Sequence, residues 1–127
     1  MKLKENKNSF DVVYKYDMNS DILGIKVTHD FQYDETVEMD DGILLDFDIN
    51  NVPTSLEIHD ASKRLNVPHE SLNNISFLKM KISVDDTSIV INAIFGLVIK
   101  NTETEYPIQS TASNFSHIPK IETELII

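Results

Sequence analysis

Apolar and polar residues alternate with a period of two along most of the chain, the pattern of strands that bury one face. In residues 9–16, SFDVVYKY, the side chains of Phe10, Val12, Tyr14 and Tyr16 share a face. After a turn-like DMNSD, the segment ILGIKVT sets Leu23, Ile25 and Val27 on one side. A polar stretch, THDFQYDE, leads to TVEM, where Val37 and Met39 alternate with Glu38. Asp40-Asp41-Gly42 is a hairpin signal, because Asp and Gly tolerate positive φ. GILLDFD then turns Ile43, Leu45 and Phe47 inward and Asp46 and Asp48 outward. Asn50-Asn51 marks a second tight turn before VPTSLEI, whose Val52, Leu56 and Ile58 share a face. The expected arrangement is an antiparallel meander.

The period changes at Asp60, whose carboxylate is suited to cap a short helix by accepting the orphan amides of its first turn. Ala61 and Leu65 form the stripe such a helix would bury; Asn66 suits a left-handed stop, and Pro68 bars continuation. HESLNNI, residues 69–75, adds a further helical turn through Leu72 and Ile75. Strands then resume. In FLKMKISV, Leu78, Met80, Ile82 and Val84 alternate with Lys79, Lys81 and Ser83, so one face is wet. Asp85-Asp86 turns the chain into SIVINAIFGLVIK. There Ile89, Ile91, Ala93, Phe95, Leu97 and Ile99 share one face, and Val90, Ile94 and Val98 are apolar on the other. Apolar residues on both faces predict a central strand covered on both sides. NTETE reads as a loop and YPIQSTA as an edge strand, since Pro107 cannot complete a ladder. The closing KIETELII places Ile121, Thr123, Leu125 and Ile127 on one face.

The chain has 127 residues, of which 41% are hydrophobic and 25% charged; that suits a single domain over 1–127. Within it, residues 1–8 read as a flexible arm, 9–75 as a β-meander plus helix, and 76–127 as a β-rich extension. The fold class expected is α+β, mainly antiparallel sheet, with one or two short helices near residues 60–75. There is no cysteine, which excludes disulfides, thiolate metal sites and a cysteine nucleophile. No apolar stretch approaches the ~18 residues of a membrane span, and the lysines of MKLKENKNSF precede no secretory apolar core. A cytoplasmic location is the expectation.

The net charge of −10 is unevenly placed. Residues 9–60 alone carry −11, two lysines against thirteen Asp and Glu, and the rest of the chain nearly balances. Such a field repels phosphate backbones and attracts basic proteins or cations. ASKRLNVPHESLNNI has the outline of a helix-turn-helix, but its second helix would carry no Arg or Lys, so nucleic acid is not an expected partner. Neither a glycine-rich phosphate loop nor a Gly-x-Ser-x-Gly elbow is present, and His29, His59, His69 and His117 are too scattered for a metal motif. Asp46, Asp48, Asn50 and Glu57 stand at positions 1, 3, 5 and 12 of a calcium-loop pattern. Position 6 is Asn51 rather than Gly, and Pro53 stiffens the second half of that loop. Turn chemistry explains the spacing better, so calcium is the alternative, not the leading reading. A hydrolase using two close carboxylates in a concave pocket is a further, less favoured alternative, because an acidic hairpin is more often exposed than cleft-lining.

From Tyr16 to Ser62 the chain resembles the domain-of-unknown-function family 2283 of bacteria and archaea. The residues that carry the resemblance are Tyr16, Asp17 and Asp21, then Glu38 and Asp46, then Glu57, and finally Asp60, Ala61 and Ser62. Asn51 stands where that family commonly has glycine, and residues 76–127 lie beyond its usual short domain. The resemblance implies a small α+β fold, no established activity, and an antitoxin-like role beside small basic proteins. It also implies structural duties for the recurring acids: Asp60 as helix cap, and Asp17, Asp21 and Asp41 in turns. The combined expectation is a non-catalytic acidic interaction module. Its partner would be a basic protein bound around Glu38, Asp40, Asp46, Asp48 and Glu57. Neither a cofactor nor a membrane is expected. A homodimer through an exposed edge, near residues 105–110 or 120–127, is a further expectation.

Overall fold

The computed structural model of the chain describes residues 8–40 and 42–127. Its strands are β1 (Ser9–Asp17), β2 (Ile22–Val27), β3 (Tyr33–Glu38), β4 (Ile43–Asp48), β5 (Pro53–His59), β6 (Ile75–Val84), β7 (Ser88–Ile99), β8 (Thr102–Ser113) and β9 (Ile121–Ile126). They make one sheet in the order β3-β4-β5-β2-β1-β9-β6-β7-β8. Strands hold 62% of the described residues and helices 8%, so the expected α+β class is corrected to all-β. The helix signals were local and short. α1 spans only Ala61–Leu65, and HESLN is a single 3-10 turn over His69–Asn73. Elements this brief have no stripe long enough to form a layer. For the same reason no recognition helix forms among the described residues.

The chain is not a meander but two Greek keys. In the second, β6, β7 and β8 are successive hairpin partners and β9 returns beside β6, the spatial order 4-1-2-3. In the first, β3, β4 and β5 are joined by hairpins and β5 closes on β2, the same pattern with its long connection at the other end. β1 joins them, antiparallel to β2 and parallel to β9. Residues 121–126 are therefore no edge: β9 pairs with β1 on one side and β6 on the other, which buries Leu125 and leaves Ile127 exposed beyond the strand. The edges are β3 and β8. The NTETE loop shrinks to Lys100-Asn101, both at positive φ, and β8 starts at Thr102.

The inward residues are those the alternation marks. Leu23, Ile25, Ile43, Leu45, Phe47, Leu56 and Ile58 of the first key share one core with Leu78, Met80, Ile82, Ile89, Phe95 and Leu125 of the second. Buried apolar area on this scale is the main stabilising term. The sheet curls until its two ends meet: Ser110 Oγ of β8 donates to Asp40 Oδ2 beyond β3 at 2.7 Å. α1 sits at that end, with Ala61 and Leu65 buried as its spacing predicts and Asn66 closing it at φ 56.

β7 corrects a second expectation. It lies next to edge strand β8, and its outer apolar residues are bare, Ile94 being 39% and Val98 43% exposed. Its central part is set by Gly96, where a Cβ would collide with the Phe77 ring. That ring lies across the strand where only glycine leaves room.

Candidate functional site

Two groups of acids within residues 9–60 do different things. The first is a buried corner. Asp21 follows β1's turn at φ 56 and is 7% exposed. Tyr16 donates its hydroxyl to Asp21 Oδ1 at 2.5 Å, and Ser62 donates its N–H to Oδ1 at 3.0 Å and its Oγ to Oδ2 at 2.7 Å. The Asp21 carbonyl accepts the Ala61 N–H at 3.0 Å. Asp21 therefore caps α1 from 41 residues upstream in sequence. Asp60, expected in that role, sits at φ 52 and makes no side-chain cap; its carboxylate is 3.8 Å from Lys63 in solvent.

Burial alone would raise the Asp21 carboxyl. The hydrogen bonds from Tyr16 and Ser62 outweigh it, with the nearby His69 adding to them, and hold the group below the usual carboxylate range. Tyr16 is pushed up to about 12 by burial and then by the hydrogen bond and charge of Asp21. Both groups thus stay in the forms that bond each other, and neither is left free to move a proton near neutrality. Asp17 serves its turn by accepting the Asn19 N–H at 3.0 Å.

The second group faces out. Strand register places Thr36, Asp46, Ser55 and Lys26 in one row across β3, β4, β5 and β2, and Glu38, Leu44, Glu57 and Gly24 in the next. Asp46 accepts Thr36 Oγ1 at 2.5 Å and Ser55 Oγ at 2.7 Å. Glu57 is 2.6 Å from His59 Nε2. Glu38, Asp46 and Glu57 therefore share the outer face, the last two on the wall of an open trough whose other side carries Lys15 and Lys26, about 390 Å³ in volume. Asp40 lies apart at the turn, bonded to Ser110.

Asp48 leaves this group. It is 5% exposed, and its Oδ1 accepts the N–H groups of Asn50 at 2.8 Å and Val52 at 3.0 Å. The calcium-pattern residues are thus not brought together: Asp46 and Glu57 face outward, and Asp48 turns into its own loop. Among the described residues no three His, Asp or Glu side chains converge as a metal site requires. Asp41 lies outside the described residues, as do all but Asn8 of the 1–8 arm. The alternation gave no sign of the reach of Asp21 to Ser62. The only signal for it was that Tyr16, Asp21 and Ser62 fall within one family-like segment.

Comparison with known proteins bears on that segment. Residues 14–62 match the family described as Protein of unknown function (DUF2283). The DUF2283 segment runs from within β1 to Ser62, so it contains every member of the buried corner and the whole acidic outer face. β6 to β9 lie beyond it. The chain is also 26% identical over 106 residues to a Methanosarcina mazei protein that carries the provisional name hypoxanthine phosphoribosyltransferase, covering 84% of this chain and 85% of that protein. No solved structure matches. Among the described residues no helix is long and apolar enough to cross a membrane.

Proposed function

We propose that the chain is a non-catalytic interaction module that binds a basic protein through the outer face of β3, β4 and β5. One observation carries this reading: Glu38, Asp46 and Glu57 project from three adjacent strands, in a stretch with no Lys or Arg between Lys26 and Lys63. Aligned like charges on one face of a sheet raise the local potential and speed the encounter with an oppositely charged partner. Sheet pairing fixes the spacing of these carboxylates, so little ordering is needed on binding.

The name of the Methanosarcina mazei relative offers a different reading, transfer of a phosphoribosyl group to a purine. That chemistry must hold a pyrophosphate, commonly on a glycine-rich loop ahead of a helix. Here the helix has five residues and the neighbouring outer face is acidic, so a cationic partner fits the surface better than an anionic substrate.

The test is an NMR titration of the full chain with a lysine octapeptide at low ionic strength. Shifts should cluster at Thr36, Glu38, Asp46 and Glu57, fade with added salt, and vanish in Asp46→Lys/Glu57→Lys. Shifts spread over the whole surface, or unchanged in that variant, would sink the reading.

A further inference from the structure

The second key carries an outer face of another kind. Down the middle run Ile94 and Val98 of β7, with the Phe77 ring crossing at Gly96. On one flank β6 places Lys79 opposite Ile94 and Lys81 opposite Asn92. On the other flank β8 places Pro107 opposite Ile94, Glu105 opposite Gly96 and Glu103 opposite Val98. The groove at Lys79, Ile94 and Pro107 has a volume of about 490 Å³. A lysine column and a glutamate column thus stand one strand to either side of an apolar midline.

That arrangement is complementary to itself. Two such faces can be stacked about a two-fold axis that runs along β7, in the plane between the sheets. The operation lays each copy's β6 over the other's β8, so lysines lie over the glutamate flank twice over, as an isologous contact requires. Lys79 and the other copy's Glu105 are then one two-residue step apart along the strand, about 7 Å, which a lysine stem spans. A two-fold axis across the strands would instead set lysine over lysine and glutamate over glutamate. The in-chain pairs of these lysines do not compete strongly. Lys79–Glu124 at 3.7 Å and Lys81–Glu122 at 3.4 Å are long and solvent-exposed, a class worth little.

We propose that the outer face of β6, β7 and β8 docks a second copy of this chain, with Ile94 and Val98 at the centre and reciprocal Lys79–Glu105 contacts at the flanks. The alternation of β7, apolar on both faces, is then satisfied: the core covers one side and the second copy the other. The face is three strands wide, about 10 Å between its outer strands, which is small for a stable interface. The dimer is weak and concentration-dependent, and the face is separate from the acidic one on β3, β4 and β5.

Sedimentation velocity on the full chain, at low salt and up to about 1 mM, decides it. The wild-type mass should rise from 14.5 kDa toward twice that value. Lys79→Glu and Glu105→Lys should each stay monomeric, as should Ile94→Arg. The double variant Lys79→Glu/Glu105→Lys should recover the dimer, because it exchanges the two charges of each proposed pair and restores both contacts. All three positions are exposed, and circular dichroism would confirm that each variant folds. A wild type that is monomeric throughout overturns the proposal. So does a dimer indifferent to the single reversals, or a double variant that fails to regain it.

Discussion

The two Greek keys solve the same packing problem and differ in where they put their polar groups. Both bury an alternating apolar face in one shared core. The first key, which lies almost wholly within the DUF2283 segment, draws charged side chains inside to fix its connections. Asp21 ties the β1–β2 turn to α1, and Asp48 holds the β4–β5 turn. The second key fixes its connections at the surface or with neutral groups. Exposed Asp85 accepts the N–H groups of Thr87 and Ser88, while buried Asn114 donates to the Asp85 and Ile118 carbonyls. The difference teaches that acidity in the first key has two origins. Part of it is framework, and part projects from the outer face of the sheet, as at Glu38, Asp46 and Glu57.

The largest way to break that contrast is at Asp21. Asp21→Ala removes one acceptor group and leaves the Ser62 N–H and Oγ and the Tyr16 hydroxyl without their partner. Chemical denaturation should show a loss of about 3 kcal/mol. A loss under about 1 kcal/mol would mean that water replaces the carboxylate and that the corner is not framework.

The second key should be most sensitive at a packed glycine instead. Gly96→Ala drives a methyl into the Phe77 ring, which should cost about 2 kcal/mol. In a Phe77→Ala background the same change should cost less, because the ring is gone and only the Ser76 Oγ, 2.8 Å from the Cβ position, must still move. Equal costs in the two backgrounds would show that the contact does not set the requirement for glycine.

pH separates the keys without mutation on the alkaline side only, because on the acid side Asp85 of the second key is held low as well, by the N–H groups of Thr87 and Ser88. The Asp21 pKa is lowered on folding, so its contribution is present above the unfolded carboxylate value, about 4, and is lost as pH falls through the folded one. Tyr16 is raised to about 12. Its contribution is complete below the unfolded value, about 10, and disappears as pH climbs toward 12. Melting temperature should therefore drop across that alkaline window, and Tyr16→Phe should flatten the drop. An alkaline limb unchanged in the variant would assign it to other groups.

How much of this was legible in the sequence depends on the range of each interaction. Inward residues such as Leu23, Ile25, Met80 and Ile82 were readable because side-chain direction along a strand depends only on immediate neighbours. Asn66 and Asn51 were readable as turn residues for the same reason. Strand order was not, because β9 pairs with β1 from the far end of the chain, and nothing local in KIETELII distinguishes a centre from an edge. The outer face of β7 misled because its apolar residues say that something covers them, not whether it belongs to the same chain. For the candidate site, Glu38, Asp46 and Glu57 emerge where alternation put them. Asp48 was misplaced because its turn draws it inward after a β-bulge between Asp46 and Phe47.

Thr123 sharpens the comparison from the other side. Its Oγ1 is buried in β9 with no hydrogen-bond partner among the described residues, so the second key contains a polar group that does no framework work there. Thr123→Val keeps the shape and removes the desolvated hydroxyl. It should stabilise the protein by about 1 kcal/mol, read as a higher denaturant midpoint at constant slope. A destabilised variant would reveal a partner for the hydroxyl that the static structure does not contain.

The smallest expected effect is the most discriminating for the corner. Asp60 has the sequence credentials of a helix cap, yet its φ of 52 turns the side chain away and Asp21 supplies the acceptor. Asn tolerates the same left-handed conformation, so Asp60→Asn changes charge while leaving the backbone undisturbed. Its ionic contact among the described residues, with Lys63 at 3.8 Å, is solvent-exposed. Stability should move by no more than about 0.5 kcal/mol, against the much larger loss at Asp21. Two aspartates that flank one short helix would then differ because only one of them is within reach of its first amides. If Asp60→Asn instead cost as much as Asp21→Ala, the helix would be held by its own local cap, and the long link from Asp21 to Ser62 would be incidental to the fold.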